Sequence, residues 1–179
     1  MSARTRTRWG WYRLADRFAS ALVASSGVGR GDLVLDLGAG DGVITRRLVE
    51  SGARVIAFEL HVGRATALRA SVADTPAVKV VRADVRDLRL PRRPFHVVSN
   101  PPFDGVSRVI ERLTSPHSRM VRGSLVTPRS VAARWVDRLD RSPHGWTASV
   151  SHRLPRSAFT PRPRVDCCVL VIERRSRHR

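Results

Sequence analysis

Three features stand at intervals through the first half of the chain, each just after an apolar run or at its end. The first is Val34-Leu35-Asp36-Leu37-Gly38-Ala39-Gly40-Asp41-Gly42, an apolar run that enters a glycine-rich turn. Glycine lets the backbone bend sharply and lets a ligand come close to the main chain. Glu59 ends a second apolar run, roughly 20 residues on, where an acid can hold both hydroxyls of a ribose. Asp84, in Ala83-Asp84, follows a third run and is placed to accept from an adenine amino group. Each feature alone is more often a tight turn or a solvated loop acid. Ligands of open α/β sheets sit at the carboxyl ends of the strands, so three such features in succession point to a nucleoside cofactor.

A second constellation is Ser99-Asn100-Pro101-Pro102-Phe103, which follows the apolar run Phe95–Ser99. Taken alone, the tetrapeptide is a Pro-Pro turn. Downstream of the glycine-rich turn, N-P-P-F resembles the catalytic loop of amino-methyltransferases that act on planar nitrogen. An aromatic amine is a poor nucleophile because its lone pair is delocalised into the ring. The resemblance implies that the Asn100 side-chain oxygen and the Pro101 carbonyl accept its two N–H groups. That draws the nitrogen towards a tetrahedral shape and exposes the lone pair to a methyl group. Phe103 would stack on the base, and the prolines would stiffen the loop so that its acceptors are preorganised. No strong base is required, because the proton can leave after transfer. The methyl donor implied is S-adenosyl-L-methionine.

These residues need a frame. Periodicity predicts a helix from Leu14 through Leu22, closed by Gly27 and Gly29. Strands follow at Leu33–Leu37, Arg54–Phe58, Val78–Val81, Phe95–Ser99 and Ser124–Thr127, alternating with helices at Val43–Val49, Gly63–Val72, Ser107–Leu113 and Ser130–Leu139. Ala148–Leu154 and Val165–Ile172 read as two last strands. Alternation of this kind predicts a parallel sheet with helices on both faces. The Pro-rich stretch Pro155–Pro163 leaves no room for a helix, so the last two strands should pair antiparallel. The expected fold is α/β: a Rossmann-like class I methyltransferase with a mostly parallel, seven-stranded sheet ending in an antiparallel hairpin. The expected organisation is a basic arm over 1–8, one domain over 9–173 and a basic tail over 174–179.

Within that hairpin, Phe159-Thr160-Pro161-Arg162-Pro163-Arg164-Val165-Asp166 resembles the F-x-P-x-P-x-V-D signature of ribosomal-RNA adenine dimethyltransferases. The likeness spans about residues 9–173. The family has a small-subunit branch and an erythromycin-resistance (Erm-type) large-subunit branch. By resemblance, Phe159 lies beside the flipped target base. The cofactor would be held by Tyr12, Leu14, Gly38, Ala39, Gly40, Glu59, Leu60, Asp84, Val85 and Asn100. The start departs from the family: Gly10-Trp11-Tyr12-Arg13-Leu14 lacks the usual Gln and Phe, so contacts to the methionine end of the cofactor should differ. Its W-G-W opening resembles a short actinobacterial Erm-type subgroup. Val126-Thr127-Pro128-Arg129 replaces the usual Gln-Lys/Arg-Glu. Full-length relatives carry a C-terminal helical domain that this sequence does not show. The expectation from that is a looser grip on RNA and mainly one methyl added.

Composition supports a polyanionic partner. Of 179 residues, 33 are Lys or Arg and 15 are Asp or Glu, a formal net charge of +18. Lys79 is the sole lysine, so the excess is arginine, whose planar fork matches phosphate and stacks on bases. A GC-rich coding sequence explains Arg over Lys but not the scarcity of acids. Residues expected to grip RNA are Arg4, Arg6 and Arg8 in the arm, Arg92-Arg93, and Arg153, Arg156, Arg162 and Arg164. The two adjacent cysteines, Cys167 and Cys168, make neither a disulfide framework nor a metal cluster, so a reducing cytoplasm is expected. No apolar run approaches membrane-spanning length. The leading expectation is a monomeric enzyme that methylates N6 of an adenine in 23S ribosomal RNA and confers macrolide-lincosamide-streptogramin B resistance, without a metal. The rivals are a small-subunit dimethyltransferase, a protein methyltransferase and a non-enzymatic RNA-binding assembly factor.

Overall fold

The computed structural model describes residues 11–142 and 145–175. Seven strands form one sheet: β2 (Leu33–Leu37), β3 (Arg54–Phe58), β4 (Val78–Val81), β5 (Phe95–Ser99), β6 (Met120–Pro128), β7 (Trp146–Leu154) and β9 (Cys167–Arg174). Their spatial order is β4-β3-β2-β5-β6-β9-β7. The first five are parallel, and β9 runs antiparallel between β6 and β7. This is the expected sheet, including the antiparallel pairing of the last two strands. Two short strands, β1 (Arg13–Leu14) and β8 (Phe159–Thr160), form a separate antiparallel pair.

Side-chain alternation along the strands divides the core in two. On one face, Val34, Val55, Ala57, Val98, Val169 and Val171 meet the helices α1 (Asp16–Ser25), α2 (Val43–Glu50) and α3 (Val62–Ser71). On the other, Leu35, Leu37, Val97, Leu125, Leu170 and Ile172 meet α4 (Val106–Leu113) and α5 (Arg129–Asp140). Cys167 joins the first cluster and Cys168 the second, as neighbours on a strand must. Both are free thiols, and burial pushes Cys167 up to about 12.

Two elements differ from expectation. Leu14 belongs to β1 rather than to a helix; α1 begins at Asp16, where Asp16 suits the positive end of the helix dipole. Leu14 satisfies the 3.6-residue period because it is buried at 1% exposure beside the helix, which periodicity alone cannot distinguish from membership in it. The Pro-rich connection, expected to leave no room for a helix, does contain a short helical turn. It holds one 3-10 turn (Arg156–Ala158) followed by β8. The arm residues Arg4, Arg6 and Arg8 lie outside the described residues, and Arg174, expected in the tail, closes β9.

Candidate active site

The parallel strands end at one edge, and the chain segments after them gather there. Gly38 and Ala39 both donate from their backbone N–H to the Phe58 carbonyl at 2.8 Å, which ties the glycine turn to β3. Gly38 has φ +79°, and a Cβ there would stand 2.8 Å from Pro102 Cδ. Gly40, at φ +61°, leaves no room either: a Cβ would come 2.5 Å from the Trp11 indole nitrogen. The glycines therefore let the turn touch the N-P-P-F loop on one side and Trp11 on the other.

Glu59 and Asp84 flank a cavity of about 190 Å³, whose wall also includes Trp11, Gly38, Leu60, Arg64, Val85 and Pro102. Glu59 is buried at 2% exposure. Its Oε2 accepts from the Gly40 backbone at 2.9 Å; its Oε1 accepts from the His61 backbone at 2.8 Å and from the Arg64 guanidinium at 2.9 Å. Arg64 also lies 4.9 Å from the Trp11 ring centroid. Asp84 is engaged in the same way, by the backbone, Nε and terminal nitrogen of Arg86. Those hydrogen bonds hold its carboxyl below the usual carboxylate range. Each strand-end acid thus carries an arginine partner from the segment that follows it.

A narrower crevice joins this cavity along Gly38 and Trp11, with Tyr12, Leu14, Asp36, Ala39 and Asn100 in its wall. Asn100 donates from Nδ2 to the Tyr12 carbonyl at 2.6 Å. Its Oδ1 is buried and has no hydrogen-bond partner among the described residues. Asp36 Oδ1 is in the same condition, while Asp36 Oδ2 accepts from the Thr45 hydroxyl at 2.7 Å. Burial pushes the Asp36 carboxyl up to about 7, against the Thr45 hydrogen bond that pulls it down. Asn100 Oδ1, a buried acceptor without a donor beside the crevice, suits an N–H group from a ligand. A cavity flanked by two acids that shares its wall with a crevice holding a free acceptor fits a cofactor made of adenosine and an amino acid.

Aromatic rings border the N-P-P-F loop. Tyr12 and Phe103 have centroids 4.9 Å apart with planes tilted by 33°. Phe103 and Phe159 stand 6.3 Å apart, edge to face at 77°. Leu14 pairs with Phe159 across the β1–β8 ladder, so the N-terminal segment and the F-x-P-x-P-x-V-D segment meet beside the loop. Phe159 is 2% exposed and braces Phe103, whereas Phe103 is only half-buried. Pro101 is buried behind the loop.

Of the arginines expected to grip RNA, Arg153, Arg156, Arg162 and Arg164 are all exposed, on β7 and the connection to β9. Arg156 is paired with Asp166 at 2.8 Å. Sequence reasoning missed Trp11, Arg64 and Asp36 as parts of the site. The signal for Asp36 was present: an acid inside the apolar strand Leu-Val-Leu-Asp-Leu has to be buried. Arg64 sits five residues past Glu59, on the first turn of α3, and that spacing returns its side chain to the strand end. Among the described residues, no group of three or more His, Cys, Asp or Glu is arranged to hold a metal ion, and no helix is long and apolar enough to cross a membrane.

The family model described as ribosomal RNA adenine dimethylase matches residues 14–179. Similar proteins include an rRNA methyltransferase of Streptomyces thermotolerans, 33% identical over 152 residues, covering 81% of this chain and 50% of that protein. The mycinamicin-resistance protein MyrB of Micromonospora griseorubida is 35% identical over 156 residues, covering 80% and 47%. The ribosomal RNA small subunit methyltransferase A of Caulobacter vibrioides is 34% identical over 158 residues, covering 80% and 60%. The chain therefore spans roughly half the length of these relatives. Among solved structures, the 23S rRNA methyltransferase ErmE superposes with a TM-score of 0.81 at 22% identity, over 91% of this chain and 70% of that one. A dimethyladenosine transferase from Plasmodium falciparum gives 0.76 at 18% identity, over 90% and 62%. The two superpositions carry the fold, and the family model covers nearly the whole sequence: this chain belongs to the ribosomal RNA adenine dimethylase family of S-adenosylmethionine-dependent methyltransferases.

Proposed function

We propose that this chain is an Erm-type enzyme that methylates N6 of an adenine in 23S ribosomal RNA and so blocks macrolide, lincosamide and streptogramin B binding. The observation that carries the amine chemistry is Asn100: its Nδ2 is committed to the Tyr12 carbonyl, and its Oδ1 is left without a donor at the mouth of the N-P-P-F loop. Asn100 Oδ1 and the Pro101 carbonyl accept the two N6–H groups, and Phe103 stacks on the base. S-adenosylmethionine supplies an electrophilic methyl carbon. Held by Asn100 and Pro101, the N6 lone pair would face that methyl group, and the amine's extra proton would pass to water.

For the cofactor, Glu59 and Leu60 would face the ribose, Asp84 and Val85 the adenine, and Gly38, Ala39 and Gly40 would let the chain approach closely. Tyr12, Leu14 and Asn100 would border the methionine end, with Asp36 and Trp11 standing in for the family's usual contacts. Arg153, Arg162 and Arg164 would meet RNA phosphates, together with Arg156 and the arm residues Arg4, Arg6 and Arg8. The large-subunit assignment is supported by relatives whose names denote rRNA methylation and mycinamicin resistance. A small-subunit substrate is the second reading, favoured by the Caulobacter relative at nearly the same identity. Incubating the protein with labelled cofactor and separated ribosomal RNAs tests both. Label in the large-subunit RNA supports the first reading; label confined to small-subunit RNA overturns it in favour of the second.

A further inference from the structure

A second basic feature lies at the opposite end of the sheet. The amino ends of β5 and β6, where Phe95 pairs with Met120, border an open groove of about 1310 Å³. Phe95 and Ser99 are four residues apart, so the groove begins about 13 Å below the Asn100 loop by strand rise. Four arginines line it: Arg92, Arg112, Arg119 and Arg174. Among the described residues, Glu111 is the one carboxylate in its wall, and it is turned to Arg138 at 3.1 Å.

The pairing of these arginines differs from that at the active site. There, Arg13, Arg64 and Arg86 are each spent on a carboxylate: Asp41 and Asp16, Glu59, and Asp84. In the groove, Arg112 donates from Nε to the Leu88 carbonyl at 3.0 Å, and Arg174 donates to the Ser118 carbonyl and covers the Trp146 ring at 4.3 Å. A carbonyl fixes a guanidinium in place without cancelling its charge. Those two side chains therefore brace the groove's two walls and leave them positive. Arg92 and Arg119 are exposed and pair with no carboxylate among the described residues.

We propose that this groove binds the phosphodiester backbone of the RNA substrate, as a second grip separate from the site of methyl transfer. Fixed, un-neutralised guanidinium forks suit phosphate oxygens, and a concave wall with four arginines to one paired carboxylate concentrates a polyanion. Backbone contacts of this kind set register and orientation rather than read sequence. The groove thus holds RNA flanking the target while the base is presented to Phe103 and Asn100. The inference rests on RNA being the substrate.

The test uses the full chain carrying Arg92→Glu and Arg119→Glu, beside a control of equal charge change, Arg17→Glu and Arg69→Glu, on the outer faces of α1 and α3. Affinity for a folded ribosomal RNA domain is measured across a salt series, with methyl transfer to that domain and to a short single-stranded oligonucleotide around the target adenine. The groove variant should bind the folded domain at least tenfold more weakly. Its log–log salt slope should shrink by about 2, one unit for each lost phosphate. Cofactor affinity and transfer to the short oligonucleotide should match wild type, and the control should change little. Wild-type affinity and slope in the groove variant overturn the proposal, as does an equal loss in the control. A defect seen only with ribosomal particles, and not with naked RNA, assigns the groove to a protein partner instead. If the wild-type protein itself neither binds nor methylates RNA, the functional reading fails, and the wild-type measurement shows that failure separately from any groove defect.

Discussion

Asn100 and Tyr12 are 88 positions apart in the chain, and a 2.6 Å hydrogen bond from the Asn100 Nδ2 to the Tyr12 carbonyl locks the amide in one orientation. A carbonyl only accepts, so the NH₂ end must face Tyr12 and the oxygen must face the crevice. An N-terminal segment that departs from the family pattern at Trp11 and Arg13 still delivers the contact that orients the central amide, because the contact is made by backbone.

Asn100→Ala should abolish methyl transfer while leaving cofactor affinity within a few-fold, since the amide oxygen mainly serves the transition state. Calorimetry and a single-turnover assay read the two quantities separately. Near-normal turnover would remove Asn100 from the chemistry.

Glu59→Gln should act in the reverse order. It keeps the side chain's shape but loses the charged acceptor, and a charge-assisted hydrogen bond to a ribose hydroxyl is worth roughly 1.5–3 kcal/mol. The cofactor dissociation constant should rise by about one to two orders of magnitude, with turnover at saturation changed less. An unchanged constant would place the ribose away from Glu59.

Gly38→Ala tests the contact between the two motifs. The residue sits at φ +79°, and the new Cβ would meet Pro102 Cδ at 2.8 Å. Proline is a rigid neighbour, so the N-P-P-F loop has to shift. A displacement of about 1 Å at a reacting group can cost around 100-fold in rate. The variant should fold with a lowered melting temperature and lose at least that much turnover. Wild-type kinetics would mean that the loop does not depend on the turn for its position.

Asp36 gives a pH signature. Its folded-state pKa, about 7, lies above the unfolded value, so the native state keeps a proton that the unfolded chain has already lost. Its contribution is fully present below the unfolded pKa, declines as pH rises towards 7, and is lost above that. Asp36→Asn removes the decline. At pH 8 the variant should be more stable than wild type by on the order of 2–4 kcal/mol, with the difference shrinking towards pH 4. Denaturant titrations at several pH values measure this, and a pH-independent difference would refute it.

The sheet was legible in the sequence because each strand either reads as an unbroken apolar run or alternates against two cores. Gly38, Glu59, Asp84 and Asn100 were legible because each follows such a run and so lands at the same edge. Leu14 was misassigned because a buried residue next to a helix mimics its period. The pairings of Glu59 with Arg64 and Asp84 with Arg86 were not legible. They depend on how the chain turns after each strand, and an arginine-rich sequence offers many candidates for every acid. Nor did Phe159 declare that it would brace Phe103 rather than offer an open face, since that follows from the β1–β8 pairing of two-residue strands.

Amine methylation of large-subunit RNA through Asn100 leaves a chemical trace in the RNA itself. The most direct measurement is mass spectrometry of nuclease-digested 23S RNA, with site mapping by primer extension, after incubation with wild-type protein or Asn100→Ala and cofactor. N6-methylated adenine should appear at one site with wild type and not at all with the variant. Unmodified 23S RNA from the wild-type reaction, or the same modification from the variant, would contradict it.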